Sequence, residues 1–126
     1  EMLLKESDIV SLHCPLTAET AKLIGADELQ AMKKSAFLVN TARGGLIDEQ
    51  ALKSALTKGI IAGAALDVLS VEPPSEGNVL IDSFIPNLIV TPHVAWIARE
   101  SRQRLVGQVV ENIQGFLSGE PRNQVN

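Results

Sequence analysis

Apolar residues along the chain fall into four short runs and two helical stripes. Asp8-Ile9-Val10-Ser11-Leu12-His13 is a short run ended by Pro15, as expected of a buried strand feeding a loop. Ala36-Phe37-Leu38-Val39-Asn40 is a second run, Ile60 to Val68 a third, and Leu88-Ile89-Val90-Thr91 a fourth, stopped by Pro92. Between the second and third, Asp48 is placed as an N-cap ahead of Ala51, Leu52, Ala55 and Leu56. Their spacing makes one apolar stripe, and Gly59 can close the helix in a left-handed conformation. Thr17 to Met32 reads as one or two short helical pieces broken at Gly25, with Asp27 capping the second and Leu29 and Met32 facing inward. Strand, helix, strand repeats, so the pattern predicts an α/β fold with a parallel sheet of about four strands and flanking helices.

A long helix is predicted from about Ala98 to Leu117, with Leu105, Val109, Ile113 and Phe116 on one face and Val106, Val110 and Leu117 widening it. A stripe this broad is expected to be covered from two sides, by another layer or another chain. Glu72-Pro73-Pro74-Ser75-Glu76-Gly77-Asn78 is rich in turn formers and reads as an irregular surface loop.

At 126 residues with 45% hydrophobic content, the chain has enough material for one compact domain. Eleven basic against fifteen acidic residues give a formal charge of -4, which offers no general attraction for nucleic acid or an anionic membrane. An anionic ligand must be held locally. The single Cys14 has no internal disulfide partner, no Cys or His spacing suggests a metal site, and no run approaches a membrane span. A cytoplasmic location is the expectation. The chain opens in Glu1-Met2-Leu3-Leu4, as a piece from the middle of a longer protein would.

Three polar residues follow strand ends: Arg43 the second, Glu72 the third and His93 the fourth. Open parallel sheets bind ligands at the carboxyl ends of their strands, so this clustering points to a site. Arg43 lies in Asn40-Thr41-Ala42-Arg43-Gly44-Gly45, where glycines let backbone approach a ligand and a guanidinium can grip a carboxylate through two hydrogen bonds. His93 follows the rigid Pro92 and titrates in the range suited to proton transfer. An isolated Arg is more often a surface residue, and a lone His more often structural. A carboxylate such as Glu72 beside the imidazole changes that weighting, because it orients the ring and favours its protonated form. Taken alone, Glu72 reads equally well as a solvated loop residue. Asp67 ends Ala64-Ala65-Leu66-Asp67 and either accepts a bond from a ligand amide or caps a turn. The backbone of His13-Cys14-Pro15 is placed to line a cofactor wall; Cys14 itself lacks a neighbouring base to make it a nucleophile.

In order, His13-Cys14-Pro15-Leu16-Thr17, Asn40-Thr41-Ala42-Arg43-Gly44, Ala65-Leu66-Asp67-Val68 with Glu72-Pro73, and Thr91-Pro92-His93 resemble the signature blocks of the NAD-dependent D-2-hydroxyacid dehydrogenases, across essentially the whole chain. The resemblance implies the carboxy-terminal half of a Rossmann-type sheet, over residues 1–118 with the long helix included, and a tail over 119–126 returning to a substrate domain. It implies that Arg43 binds the substrate carboxylate, His93 donates the proton and Glu72 keeps His93 protonated. Asp67 would anchor the nicotinamide carboxamide, while Cys14, Pro15, Thr20, Thr41, Ala42, His93, Ala95 and Trp96 would line the NAD site. Val94-Ala95-Trp96 with Arg102-Gln103-Arg104-Leu105 is most similar to the glycerate dehydrogenase (hydroxypyruvate reductase) branch, where other branches mostly carry a small residue for Trp96.

The departure is that no Gly-x-Gly-x-x-Gly occurs, nor the strand whose acidic end would hold the adenosine ribose. The family's first half is therefore expected to lie outside the chain, leaving a strand edge to be paired, with a homodimer as the expected remedy. Turnover by this chain alone is expected to be negligible. The competing reading is a non-enzymatic, corepressor-like module of the same fold, or an inactive remnant.

Overall fold

The computed structural model describes residues 2–125 and divides into two compact units, Glu1–His93 and Val94–Asn126. That division falls ahead of the long helix, between His93 and Val94.

In the first unit, a short helix α1 (Met2–Glu6) precedes β1 (Ile9–Leu12), and α2 (Ala26–Ala31) leads to β2 (Phe37–Asn40). A single 3-10 turn (Gly44–Leu46), α3 (Glu49–Thr57), β3 (Gly63–Leu66) and β4 (Leu88–Val90) follow. The strands form one sheet in the order β1-β2-β3-β4, every pair parallel, with Val10 opposite Leu38, Leu38 opposite Ala64 and Ala64 opposite Leu88. All four carboxyl ends therefore lie on one edge.

Burial alternates along the strands because successive side chains point to opposite faces. Val10, Leu12, Leu38, Ala64 and Leu66 are buried and cluster with Leu29 and Met32 near α2 and Leu52, Ala55 and Leu56 of α3. Ile9, Phe37 and Ile89 point the other way and remain 50–65% exposed. Parallel sheets are ordinarily covered on both faces. Here one face carries the core and the other is bare apolar surface.

Helix α3 forms where its pattern places it. The Asp48 carboxylate accepts from the backbone N–H groups of Gln50 and Ala51, and Gly59 takes a φ of 65° beyond the last turn. Lys22 adds a 3.0 Å ion pair to the same carboxylate. The Ala51 bond, then Lys22, hold Asp48 below the usual aspartate range.

The Thr17–Met32 segment differs from its predicted form. Residues 18–22 are turns, and Ile24 pairs in parallel with Ile47 as an isolated bridge, so only residues 26–31 are helical. Gly25, not Asp27, is the N-cap; its N–H donates to Glu28 Oε2 at 3.0 Å, leaving Asp27 in the first turn. The Ile24 bridge competes with helix formation and moves the start past Gly25.

The second unit contains α4 (Arg99–Leu117), one residue inside the predicted start. None of its residues is buried, and Leu105, Val106, Ile113, Phe116 and Leu117 are all more than half exposed. The expected cover over this stripe is thus absent among the described residues. After Gly119, which has a φ of 79°, the chain turns back, and Arg122 pairs with Glu111 at 2.7 Å.

Leu52 is fully buried beneath the sheet. Leu52→Ala is expected to cost roughly 2–5 kcal/mol in chemical denaturation. Asp48→Ala, which removes a cap only, should cost about 1 kcal/mol. Equal losses would contradict this division between core and cap.

Candidate active site

The shared carboxyl edge brings together the segments that follow each strand. Asn40, wholly buried at the end of β2, organises the first of them. Its Oδ1 accepts from Ala42 N at 3.0 Å, and its Nδ2 donates to the Arg43 carbonyl at 2.9 Å. A polar residue ending an apolar run is the sequence signal for this role, and in the sequence Asn40 stands out only as part of the Asn40–Gly45 motif. The turn it holds presents Arg43 at the surface, where Nη1 donates to the Ala42 carbonyl at 2.7 Å.

Gly44 is required here for a reason other than the one expected. A Cβ on Gly44 would lie 2.0 Å from the carbonyl carbon of Leu69 and 2.4 Å from Ser70 N. On Gly45 it would meet the Leu16 side chain at 2.8 Å. The glycines thus let the Arg43 turn pack against the protein's own chain, so ligand approach is not their evident purpose.

Beyond β3, Asp67 is 4% exposed, and its Oδ1 accepts a short 2.5 Å hydrogen bond from the Thr91 hydroxyl after β4. The backbone ladder continues on both sides, Asp67 N donating to Asn40 O and Thr91 N to Leu66 O. Asp67 therefore ties three strand ends together, through a bond across strands and not the turn cap that was its structural alternative, and it keeps its position at the edge.

Glu72 reaches across the Pro-rich loop to His93. Its Oε2 lies 2.7 Å from His93 Nδ1, while Oε1 accepts from Leu69 N at 2.7 Å. Burial pushes the Glu72 carboxyl up, but the Leu69 N–H and the His93 ring more than offset this, against the neighbouring Asp67 charge, and hold it below the usual glutamate range. Glu72 is thus no freely solvated loop residue. His93 has a φ of 56°, uncommon away from glycine and found disproportionately where function constrains the backbone. A pocket of about 470 Å³ opens beside the pair, lined by Leu69, Glu72, Pro73, Ile81, Val90 and His93 among others.

The β1 end is knit by Thr20, whose hydroxyl donates to the Pro15 carbonyl and accepts from Thr17 N, each at 2.7 Å. Cys14 is half-buried against the core, and His13 Nε2 lies 2.8 Å from the Ser11 hydroxyl. Thr41 is exposed and Ala42 half-buried at the β2 end. Ala95 and Trp96 belong to the second unit, where Trp96 is 53% exposed. Among the described residues, no cluster of three His, Cys, Asp or Glu is arranged to hold a metal, and no helix is long and apolar enough to cross a membrane.

Two outcomes follow from this geometry. Gly44→Ala must displace backbone where no flexible side chain can yield, and should cost about 3 kcal/mol, the upper end for overpacking, in thermal or chemical unfolding. The depressed Glu72 carboxyl contributes stability that is present above its unfolded pKa and lost as the pH falls through its folded one. The stability difference between the native chain and Glu72→Gln should therefore shrink on acidification; a difference that grows would contradict the pairing.

Residues 1–95 match the family model of the D-isomer specific 2-hydroxyacid dehydrogenase, NAD binding domain. The chain is similar to a glycerate dehydrogenase of Methylorubrum extorquens, 54% identical over 125 residues that make up 99% of this chain and 40% of the relative. Among solved structures, it is similar to an acyclic imino acid reductase in complex with NADPH and D-Arg, at 40% identity and a TM-score of 0.88, over 99% of this chain and 39% of that one. It is also similar to the NAD complexed form of the D-isomer specific 2-hydroxyacid dehydrogenase from Lactobacillus delbrueckii ssp. bulgaricus, at 42% identity and a TM-score of 0.85, over 99% and 41%. The chain spans about two fifths of the length of these relatives. With its signature residues gathered at one sheet edge and three quarters of its length matched by the family model, the chain belongs to the D-isomer specific 2-hydroxyacid dehydrogenases, within their NAD binding domain.

Proposed function

We propose that this chain supplies the reacting side chains of an NAD(P)H-dependent D-2-hydroxyacid dehydrogenase that reduces a small 2-keto acid such as hydroxypyruvate or glyoxylate. The observation that carries this reading is the 2.7 Å Glu72–His93 pair at the strand ends, on the same edge as the Arg43 turn. Arg43 grips the substrate carboxylate, since a guanidinium offers two parallel donors to that group. With His93 Nδ1 engaged by Glu72, Nε2 is the atom that gives a proton to the keto oxygen, and the carboxylate stabilises the charged ring until it does.

The fit to a nicotinamide cofactor is partial. Cys14, Pro15, Thr20, Thr41, Ala42, Asp67 and His93 lie at or just beyond neighbouring strand ends, where such a ring binds in open parallel sheets. When bound, the nicotinamide supplies the hydride. The chain contains no glycine-rich phosphate loop, so its own residues provide no strong hold on a pyrophosphate. The relatives' greater length suggests that the remainder comes from further chain, with residues 119–126 returning toward a substrate domain. The single cysteine fits a cytoplasmic setting, and the bare apolar stripe on α4 fits a homodimer.

This chain alone should show no measurable reduction of hydroxypyruvate and only weak NADH binding, by fluorescence titration on a sample of known oligomeric state. In a protein of the relatives' length containing it, His93→Asn should lower kcat by roughly 10²–10⁴-fold. Arg43→Lys should chiefly raise KM for the keto acid. Full activity with both substitutions would sink the proposal.

A further inference from the structure

The loop that carries Glu72 has little structure of its own. Between Leu69 and Asn78, its internal backbone bonds run from Ser75 N to Pro73 O and from Gly77 N to Pro74 O, enough for a tight turn but too few to place a carboxylate within a few tenths of an ångström. Placement is supplied from outside, by the first residue of α3.

The half-buried Glu49 uses both carboxylate oxygens on this loop. Its Oε1 accepts from Ser70 N at 2.8 Å, while Oε2 accepts from the Ser70 hydroxyl at 2.7 Å and from Asn78 Nδ2 at 2.8 Å. Ser70 and Asn78 stand at the two ends of the loop, so one side chain pins both stems. Asn78 is buried and is fixed in turn, its Oδ1 accepting from Leu80 N and its own N–H donating to Asp82 Oδ2. Residue 69, next to the pinned Ser70, donates its N–H to Glu72 Oε1. Gly44 packs against the same Leu69–Ser70 backbone. The pinned stem thus touches both the Arg43 turn and the Glu72 carboxylate, while α3 provides a rigid base through the Asp48 cap and buried Leu52.

We propose that Glu49 is a positioning residue: by tying Ser70 and Asn78 to the start of α3, it sets the Glu72 carboxylate in register with His93. Glutamate suits the place because an anion is favourable in the first turn of a helix and offers acceptors to three donors at once. Glutamine would present an amide N–H where an acceptor is required. This inference rests on the reading of Glu72 and His93 as an acid/base pair, and the test separates the two.

The test is a carbon-13 NMR titration of the Glu72 carboxyl in the chain labelled at glutamate side-chain carboxyls, with Glu72→Gln assigning the signal. Burial, the Leu69 N–H, His93 and Asp67 set this titration. Glu49→Gln should move the Glu72 midpoint upward, with far-ultraviolet circular dichroism unchanged, and Ser70→Ala should move it by less. His93→Gln should also raise it, independently of Glu49. If His93→Gln leaves the midpoint in place, the pair itself is refuted. If His93→Gln moves it while Glu49→Gln and Ser70→Ala do not, Glu49 serves stability alone and the positioning role is overturned. Should Glu49→Gln fail to fold, the milder Ser70→Ala decides: an upward shift supports the role, and no shift refutes it.

Discussion

Parallel pairing imposes the constraint from which the site follows. Each strand can run beside its predecessor in the same direction only if the chain crosses back between them, so every carboxyl end arrives at one edge and every return lies behind it. In this chain the returns with α2 and α3 bury Leu29, Leu52, Ala55 and Leu56 against one sheet face. Residues far apart in sequence are thereby delivered together: Arg43, Asp67, Glu72 and His93 all follow strands that are laddered to one another. Backbone hydrogen bonds carry the arrangement past the strand ends, through Asp67 N to Asn40 O and Thr91 N to Leu66 O. The edge is therefore a continuation of the sheet, and its side chains inherit the sheet's rigidity.

Ladder rigidity does not extend to loops, and here the chain uses buried polar groups instead. Asn40 and Asn78 are both buried, and each spends its amide on the backbone or side chains of a neighbouring segment. Burying such groups is costly unless their hydrogen bonds are met. Among the described residues, no buried side-chain donor or acceptor is left without a partner. The satisfied amides fix the Arg43 turn and the Glu72 loop more tightly than apolar contacts would, because hydrogen bonds specify direction as well as distance.

Most of the fold was legible in the sequence because its signals are local. The four apolar runs bounded by Pro15, Asp48, Gly59 and Pro92 mark four strands and α3, and the spacing of Ala51, Leu52, Ala55 and Leu56 identifies the buried face. The errors occur where a distant partner outweighs local propensity. Residues 18–22 are pulled into turns beside a bridge between Ile24 and Ile47, residues 23 positions apart, and no periodicity announces such a pairing. The site divides in the same way. Arg43, Glu72 and His93 stand out as polar residues after apolar runs, whereas Gly44 and Glu49 depend on contacts with Leu69, Ser70 and Asn78 that exist only after folding.

The exposed apolar surface is organised by the same alternation that builds the core. Ile9, Phe37 and Ile89 are the exposed apolar positions of strands whose neighbouring residues Val10, Leu38, Leu88 and Val90 are buried or half-buried, so their exposure is not a patterning defect. A parallel sheet gains stability from helices on both faces, and strands that alternate apolar residues toward each face are built for that environment. The face bearing α2 and α3 already meets the condition, and it is also the face whose helix start pins the Glu72 loop. The geometry of the Glu72–His93 pair is thus tied to the covered side. Covering the bare side would add stability to the sheet while leaving the contacts among Glu49, Ser70, Glu72 and His93 as they stand.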